Sequence, residues 1–331
     1  MGQLLEQDLH LVRKFIAFLI GIILIGLIGL IISINLISIV IYKVFNLLHK
    51  NDINNYKKFI ETIFPKKFKT NKILIFSINN IVNIFLLIIF NIMVSGFSTY
   101  VFQELNIKKI YGAMIIAILS FFSLNKKTNG IIRLNKMLIP IISVFILFIG
   151  INQIKVQQIV LIQNDTYSLY WLISSILYSS YNSITLIPIL ISLKGKITNK
   201  KEINMVVLIV NSILIILSLI IFLLLNNYKS EIKNIEMPMV YIANKLNKNI
   251  KSIYGTIILM AIFTTAVTTI YGFLNNIIKN KKRYKKYMII ICITSILMGK
   301  INFSDLINLL YPFFGYLGII QLIFLIIYKT P

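Results

Sequence analysis

The chain has 331 residues, of which 58% are hydrophobic and 13% charged, and its mean hydropathy is +0.86. These values exclude an ordinary soluble protein and predict an integral membrane protein. The net charge of +24, from 34 Lys and Arg against 10 Asp and Glu, is then read as a topology signal and not as a nucleic-acid surface. A single cysteine (Cys292) and two distant histidines (His10, His49) leave no disulfide, CxxC motif or metal-ligand cluster. No glycine-rich phosphate loop is present, so this chain is not expected to pump with ATP.

About twenty apolar residues cross a hydrocarbon core of roughly 30 Å. Taken in chain order, such runs predict spans over Phe15–Ile41, Ile73–Phe102, Ile110–Leu124, Met137–Ile154, Leu169–Leu193, Ile203–Leu225, Ile250–Ile278, Tyr287–Met298 and Leu306–Tyr328. The expected architecture is an all-α, polytopic transmembrane bundle of about nine spans, forming one domain over residues 1–331. The third, fourth and eighth spans are near the lower length limit and need protein neighbours or local thinning of the bilayer.

Basic residues test this order, because cytoplasmic loops are enriched in Lys and Arg. The loop 43–72 holds eight Lys, and Lys126, Lys127, Arg133 and Lys136 follow the third span. Lys194, Lys196, Lys200 and Lys201 follow the fifth, a cluster from Lys279 to Lys286 follows the seventh, and Lys329 follows the last. Together these place 23 of the 34 bases on one face, assigned as cytoplasmic. The chain is therefore expected to start outside and end inside, although Met1–Lys14 carries no apolar export segment.

Two connecting stretches have structure of their own. In loop 43–72, Val44, Phe45, Leu47, Leu48, Ile53, Tyr56, Phe59 and Ile60 alternate with bases, which suits either a solvated basic loop or an interfacial helix on anionic lipid. In 236–251, Pro238 suits a first helical turn, and Met239, Ile242, Ala243 and Leu246 recur at helical spacing. That stretch is expected to be an amphipathic cap helix on the extracellular side.

No Asp, Glu, Lys, Arg or His lies well inside a span, so polar function must rest on hydroxyls, amides and backbone. The fifth span carries Ser179, Ser180, Tyr181, Asn182 and Ser183, followed by Pro188. Two readings fit: a helix interrupted around a solute, or a continuous helix whose hydroxyls bond back to its own carbonyls. The seventh span carries Thr264, Thr265, Thr268 and Thr269 at spacings that suit an alkali-cation site or interhelical packing. The second span places Asn80, Asn83, Asn91 and Ser95, with Ser98 or Thr99, near one stripe, which fits a translocation route or interhelical hydrogen bonds.

Four stretches, Leu177–Leu190, Glu236–Ala243, Ile262–Gly272 and Leu309–Gln321, resemble the YkvI-like family of bacterial membrane proteins, within the amino acid/polyamine/organocation transporter superfamily. The resemblance implies a LeuT-like fold of two inverted five-helix repeats, with the fifth span here as a broken helix six and the seventh as helix eight. It also implies a solute site at Ser179–Ser183, to which the polar stripe of the second span adds Asn91 and Ser95 as candidates, and a sodium site at Thr264 and Thr265 or at Thr268 and Thr269. The family's glycine-rich first helix has only Gly2–Gln3 as a match, so the chain is expected to be shortened at its N-terminus with helix one largely missing.

The function expected from the resemblance is secondary transport of a small polar or zwitterionic solute across a bacterial cell membrane, coupled to Na⁺ or H⁺. The alternative is a non-transporting ligand sensor or receptor subunit of the spore-germination type. No enzyme activity is expected, since the spans lack a nucleophile–base pair. No cofactor beyond a coupling Na⁺ is expected, and the partners are the bilayer, anionic lipid and the solute, without nucleic acid.

Overall fold

A computed structural model describes residues 28–53, 55–64, 72–125, 129–154, 170–192, 194–195, 199–278 and 281–328. The expectations for Gly2–Gln3, for the first span before Ile28, and for Lys66, Lys67, Lys69, Lys126, Lys127, Lys196, Lys279 and Lys329 lie outside these residues. Among the described residues every regular element is helical. That follows from an apolar environment, in which each backbone N–H and C=O must be satisfied within its own segment.

The helices in order are α1 (Ile28–Lys50), α2 (Tyr56–Ile63), α3 (Lys72–Leu105), α4 (Lys109–Asn125), α5 (Asn129–Gln153) and α6 (Tyr170–Ser192). They continue as α7 (Lys200–Asn227), the single turn α8 (Lys229–Ile232), α9 (Pro238–Leu246), α10 (Lys248–Ile277), α11 (Lys281–Met298) and α12 (Phe303–Ile327). Within the described residues, each of the nine expected spans falls on one helix. Five of them, α1, the Asn80–Leu105 part of α3, α7, α10 and α12, are long and apolar enough to cross a membrane. Shorter apolar helices cover Lys109–Leu124 and Met137–Gln153. The chain is thus a multi-pass helical membrane protein.

Several expected boundaries are corrected. α1 continues to Lys50, past Ile41, and α5 starts at Asn129, so Arg133 and Lys136 belong to a helix and not a loop. α11 starts at Lys281, which makes most of the expected basic loop its first two turns. At α5 and α11 the basic stretch continues the helix, because Lys and Arg are good helix formers, and at α1 the extension is carried by apolar residues that are buried, such as Val44 and Leu47.

The apolar residues of 43–72 turn inward. Val44, Leu47, Ile53, Phe59 and Ile60 are fully buried, in a cluster with Ile187 of α6, Ile203 of α7 and Leu325 of α12. Lys43 donates to the Ile326 and Tyr328 carbonyls, placing a cation at the C-terminus of α12, where carbonyls lack helical partners. A second cluster joins α3, α4, α5, α9, α10 and α11 around Phe90, Ile116, Ile149, Ile242, Val267 and Met288. Phe85 of α3 and Phe314 of α12, with ring centroids 4.2 Å apart, bridge the two parts of the bundle.

Tyr56 at the start of α2 donates a 2.7 Å hydrogen bond to Gln321 Oε1, while Gln321 Nε2 is buried without a partner among the described residues. Removing the phenol orphans the second end of the same buried amide. Tyr56→Phe is therefore expected to cost about 1–3 kcal/mol, and Gln321→Leu in that background to recover most of the loss. The one cysteine, Cys292, is buried and unpaired, so a thiol-reactive dye followed through a thermal melt reads both changes.

Candidate functional site

α6 carries the densest polar run, and it is one continuous helix from Tyr170 to Ser192. The expected interruption at Ser179–Ser183 is absent. Ser179 Oγ lies 2.8 Å from the Ser175 carbonyl, Ser180 Oγ 2.7 Å from Ile176 O, Ser183 Oγ 2.7 Å from Ser180 O and Asn182 Nδ2 2.8 Å from Tyr178 O. These short polar groups satisfy themselves on the preceding turn and leave the backbone ladder intact. Pro188 sits in the last turns, where its missing N–H removes a single bond.

Two neighbours hold that helix. On one side Ser33 Oγ of α1 is 3.0 Å from the Ser175 carbonyl, and Ser179 Oγ is 3.2 Å from the Ser33 carbonyl. On the other, α12 runs parallel to α6 at very close range: a Cβ on Gly315 would lie 2.9 Å from Leu177 Cβ, and one on Gly318 would lie 2.6 Å from the Ser180 carbonyl oxygen. Small residues let the two backbones meet, as is common where apolar lipid offers no driving force for association. Ser179, Ser180 and Ser183 are consequently fully buried between helices. Tyr181 and Asn182 are half-buried, and Tyr181 packs on Tyr311 with ring centroids 4.7 Å apart and planes tilted by 37°, and meets Tyr178 edge-on at 5.4 Å.

The second polar zone lies where α3 and α10 cross. Three contacts set their antiparallel register: Asn276 Nδ2 donates to Asn83 Oδ1 at 2.9 Å, Gly272 faces Leu86, and Gly255 faces the Tyr100 ring. That register places Asn91 level with Thr265 and Thr268, near the middle of both helices. Thr265 Oγ1 is 2.8 Å from the Ala261 carbonyl and Thr268 Oγ1 is 2.9 Å from Thr264 O. Thr264 and Thr269 bond in the same way to Ala261 and Thr265. Each hydroxyl donates its hydrogen to its own helix and keeps oxygen lone pairs for another group. Thr265, Thr268, Thr269 and Asn91 are half-buried, whereas Thr264 is buried. Ser95 lies further along α3 and donates to the Ile301 carbonyl at 2.7 Å, which ties α3 to the turn before α12.

At the end of α3 a polar lock fastens the expected cap. Gln103 Oε1 accepts from the backbone N–H groups of Glu236 and Met237, each at 3.2 Å, and Glu236 Oε2 accepts from Ser304 N at 2.9 Å in the first turn of α12. Lys251 Nζ of α10 lies 2.6 Å from Glu104 Oε2, and the Glu104 side chain is only 7% exposed. α9, with Pro238 in its first turn, rests on this frame through Val240, Ile242 and Ala243. Lys245 of α9 pairs with Glu231 at 2.6 Å, and hydrogen bonds to Glu231 and Tyr241 push its pKa above the usual lysine range. None of Gln103, Glu104, Ser33 and Gly318 stands out in sequence as a functional position. Only the spacing of Gly315 and Gly318, and of Ser175 and Ser179, hints at close helix contacts.

The structure thus divides the sequence-derived candidates. Ser179, Ser180 and Ser183 serve helix contacts, while Tyr181 and Asn182 on α6 and Asn91, Thr265, Thr268 and Thr269 on the α3–α10 crossing keep a half-open face. Among the described residues no group of His, Cys, Asp or Glu could hold a metal ion.

The chain is similar to a bacterial membrane protein. It is 23% identical over 261 residues to the uncharacterized membrane protein YkvI of Bacillus subtilis strain 168, a match that covers 76% of this chain and 74% of the relative. No family model matches the sequence. No solved structure matches it.

Proposed function

We propose that this protein is a secondary transporter of a small polar or zwitterionic solute, built as a LeuT-like inverted repeat in a bacterial cell membrane. Its Lys-rich loops and C-terminus face the cytoplasm, and α9 lies over the outer mouth. The reading rests most heavily on the packing of α3 and α4 against α10 and α11. α3 meets α10 antiparallel, α4 meets α11, and the cross pairs α3–α11 and α10–α4 also touch, while α5 packs on α10 as α12 packs on α3. This pattern of pairs is what an inverted repeat about a two-fold axis in the membrane plane would produce, and transporters of that kind bind solute near the axis.

Asn91, Thr265 and Thr268 sit at this crossing, Tyr181 of α6 brings a phenol against the cluster that holds Val82, Phe85 and Ile89 of α3, and Asn182 is the proposed amide next to it on α6. With no charge among them, a zwitterion would be held by amides, hydroxyls and helix ends. Thr265 and Thr268 are the proposed ligands for a coupling Na⁺, as hard oxygen donors. A polar face at mid-depth must reach water if it is a transport route. In a Cys292→Ala background, Asn91→Cys and Thr268→Cys are therefore expected to react with a membrane-impermeant thiosulfonate. A cysteine at Ile115, an exposed apolar residue of α4, should stay unreacted because a thiol in hydrocarbon does not ionise. Equal inertness of all three positions would remove the aqueous route.

A further inference from the structure

α4 and α11 run antiparallel and touch at one end, where a Cβ on Gly299 would collide with Ala113. Toward the other end they part around a groove of about 530 Å³ lined by Ile118, Phe121, Phe122, Ile289, Cys292 and Ile293, a size within the ~300–1,000 Å³ of ligand pockets. Its walls are apolar, and Ile118, Phe122 and Ile293 are more than half exposed along its open side.

The apolar stripe of α11 runs straight into charge. Lys285 and Lys286 stand four and three residues before Ile289, on the same helix face. At 1.5 Å per residue Lys286 lies about 10 Å from Ile293, so the basic end and the apolar groove are reachable by one molecule. Both lysines are exposed, as is Arg283. No ion pair among the described residues involves any of the three.

We infer that the α4–α11 groove is a docking site for an anionic phospholipid, with an acyl chain along Phe122, Ile289 and Ile293 and the headgroup phosphate against Lys285 and Lys286. The charge selects this occupant. A second copy of the chain seated here would bring its own excess of cations to an already basic end, and a zwitterionic lipid would leave both lysines unbalanced. The site does not depend on solute transport.

The test is native mass spectrometry of the full chain released from mild detergent, with phosphatidylglycerol or phosphatidylcholine of identical chains added. Each lysine near an anionic headgroup is worth about fivefold in binding, so phosphatidylglycerol is expected to be retained at least about tenfold better than phosphatidylcholine. Lys285→Gln with Lys286→Gln should bring phosphatidylglycerol down to the phosphatidylcholine level, and Ile293→Trp, which fills the groove from its exposed side, should reduce both. Unchanged helicity and elution of each variant separate lost binding from lost folding. Equal retention of the two lipids by the unaltered chain, an unaltered preference in the double variant, or a lipid-free dimer that Ile293→Trp dissociates would overturn the assignment.

Discussion

Lys251→Met is expected to lower the stability of the folded bundle by about 3 kcal/mol, the low end of the 3–5 kcal/mol typical when one partner of a buried pair is removed. The partner left behind, Glu104, is 7% exposed and would be a nearly desolvated carboxylate without its cation. The low end applies because Lys251 itself is 29% exposed and already shares its charge with water. Removing both charges in Glu104→Gln with Lys251→Met should recover most of the loss, since a neutral amide keeps its place beside Gln103. A dye melt on Cys292 measures the stabilities, and limited proteolysis between Glu231 and Pro238 shows whether the cap has been released. A single Lys251→Met variant as stable as the unaltered chain would show that the lock carries no weight.

Gly318→Val is expected to be the most disruptive single change in the α6–α12 pair. Its Cβ would stand 2.6 Å from the Ser180 carbonyl oxygen and 2.8 Å from the Ser180 carbonyl carbon, and both are backbone atoms of a packed helix that cannot rotate away. α12 must therefore move off α6. Overpacking costs about 1–3 kcal/mol where neighbours relax, and the upper end is expected here. The displacement would also part Tyr311 from Tyr181 and Phe314 from Phe85. Gly272→Ala is the control: a Cβ there meets only Leu86 Cδ1 at an ordinary 3.4 Å, so it should leave the melt nearly unchanged.

Among the described residues helix order was legible because apolar runs of sufficient length recur between basic clusters, and the described part of each run is helical. The ends were less legible. Lys43, Arg133 and Lys281 read as loop residues by charge, yet Lys and Arg are good helix formers, and Lys43 is held inside α1 by a distant partner, the carbonyls at the end of α12. Loop 43–72 misled in another way: its apolar residues have the spacing of a lipid-facing helix, and only the fold shows them buried against α6, α7 and α12.

The fifth span marks where local sequence stops deciding structure. A Ser-Ser-Tyr-Asn-Ser run before a proline fits a broken helix and a self-bonded one equally well, and the partners Ser33, Gly315 and Gly318 that stabilise the continuous form lie far away in sequence. Asn91 and the threonines of α10 are candidates by their types and spacing alone. Their level with one another depends on the Asn83–Asn276 and Tyr100–Gly255 contacts, which no single segment encodes.

The central claim, solute transport through the α3–α10 crossing, is tested most directly by uptake of a labelled mixture of neutral amino acids into proteoliposomes, with and without an inward Na⁺ gradient. Saturable uptake above protein-free liposomes, increased by the gradient, is the expected result. That increase should be lost in Thr265→Ala with Thr268→Ala, and uptake itself reduced at least about tenfold in Asn91→Ala with Asn182→Ala, as expected when hydrogen-bond partners of a ligand are removed. Folded protein that binds a neutral amino acid yet shows no flux above protein-free liposomes would contradict it and make the chain a sensor.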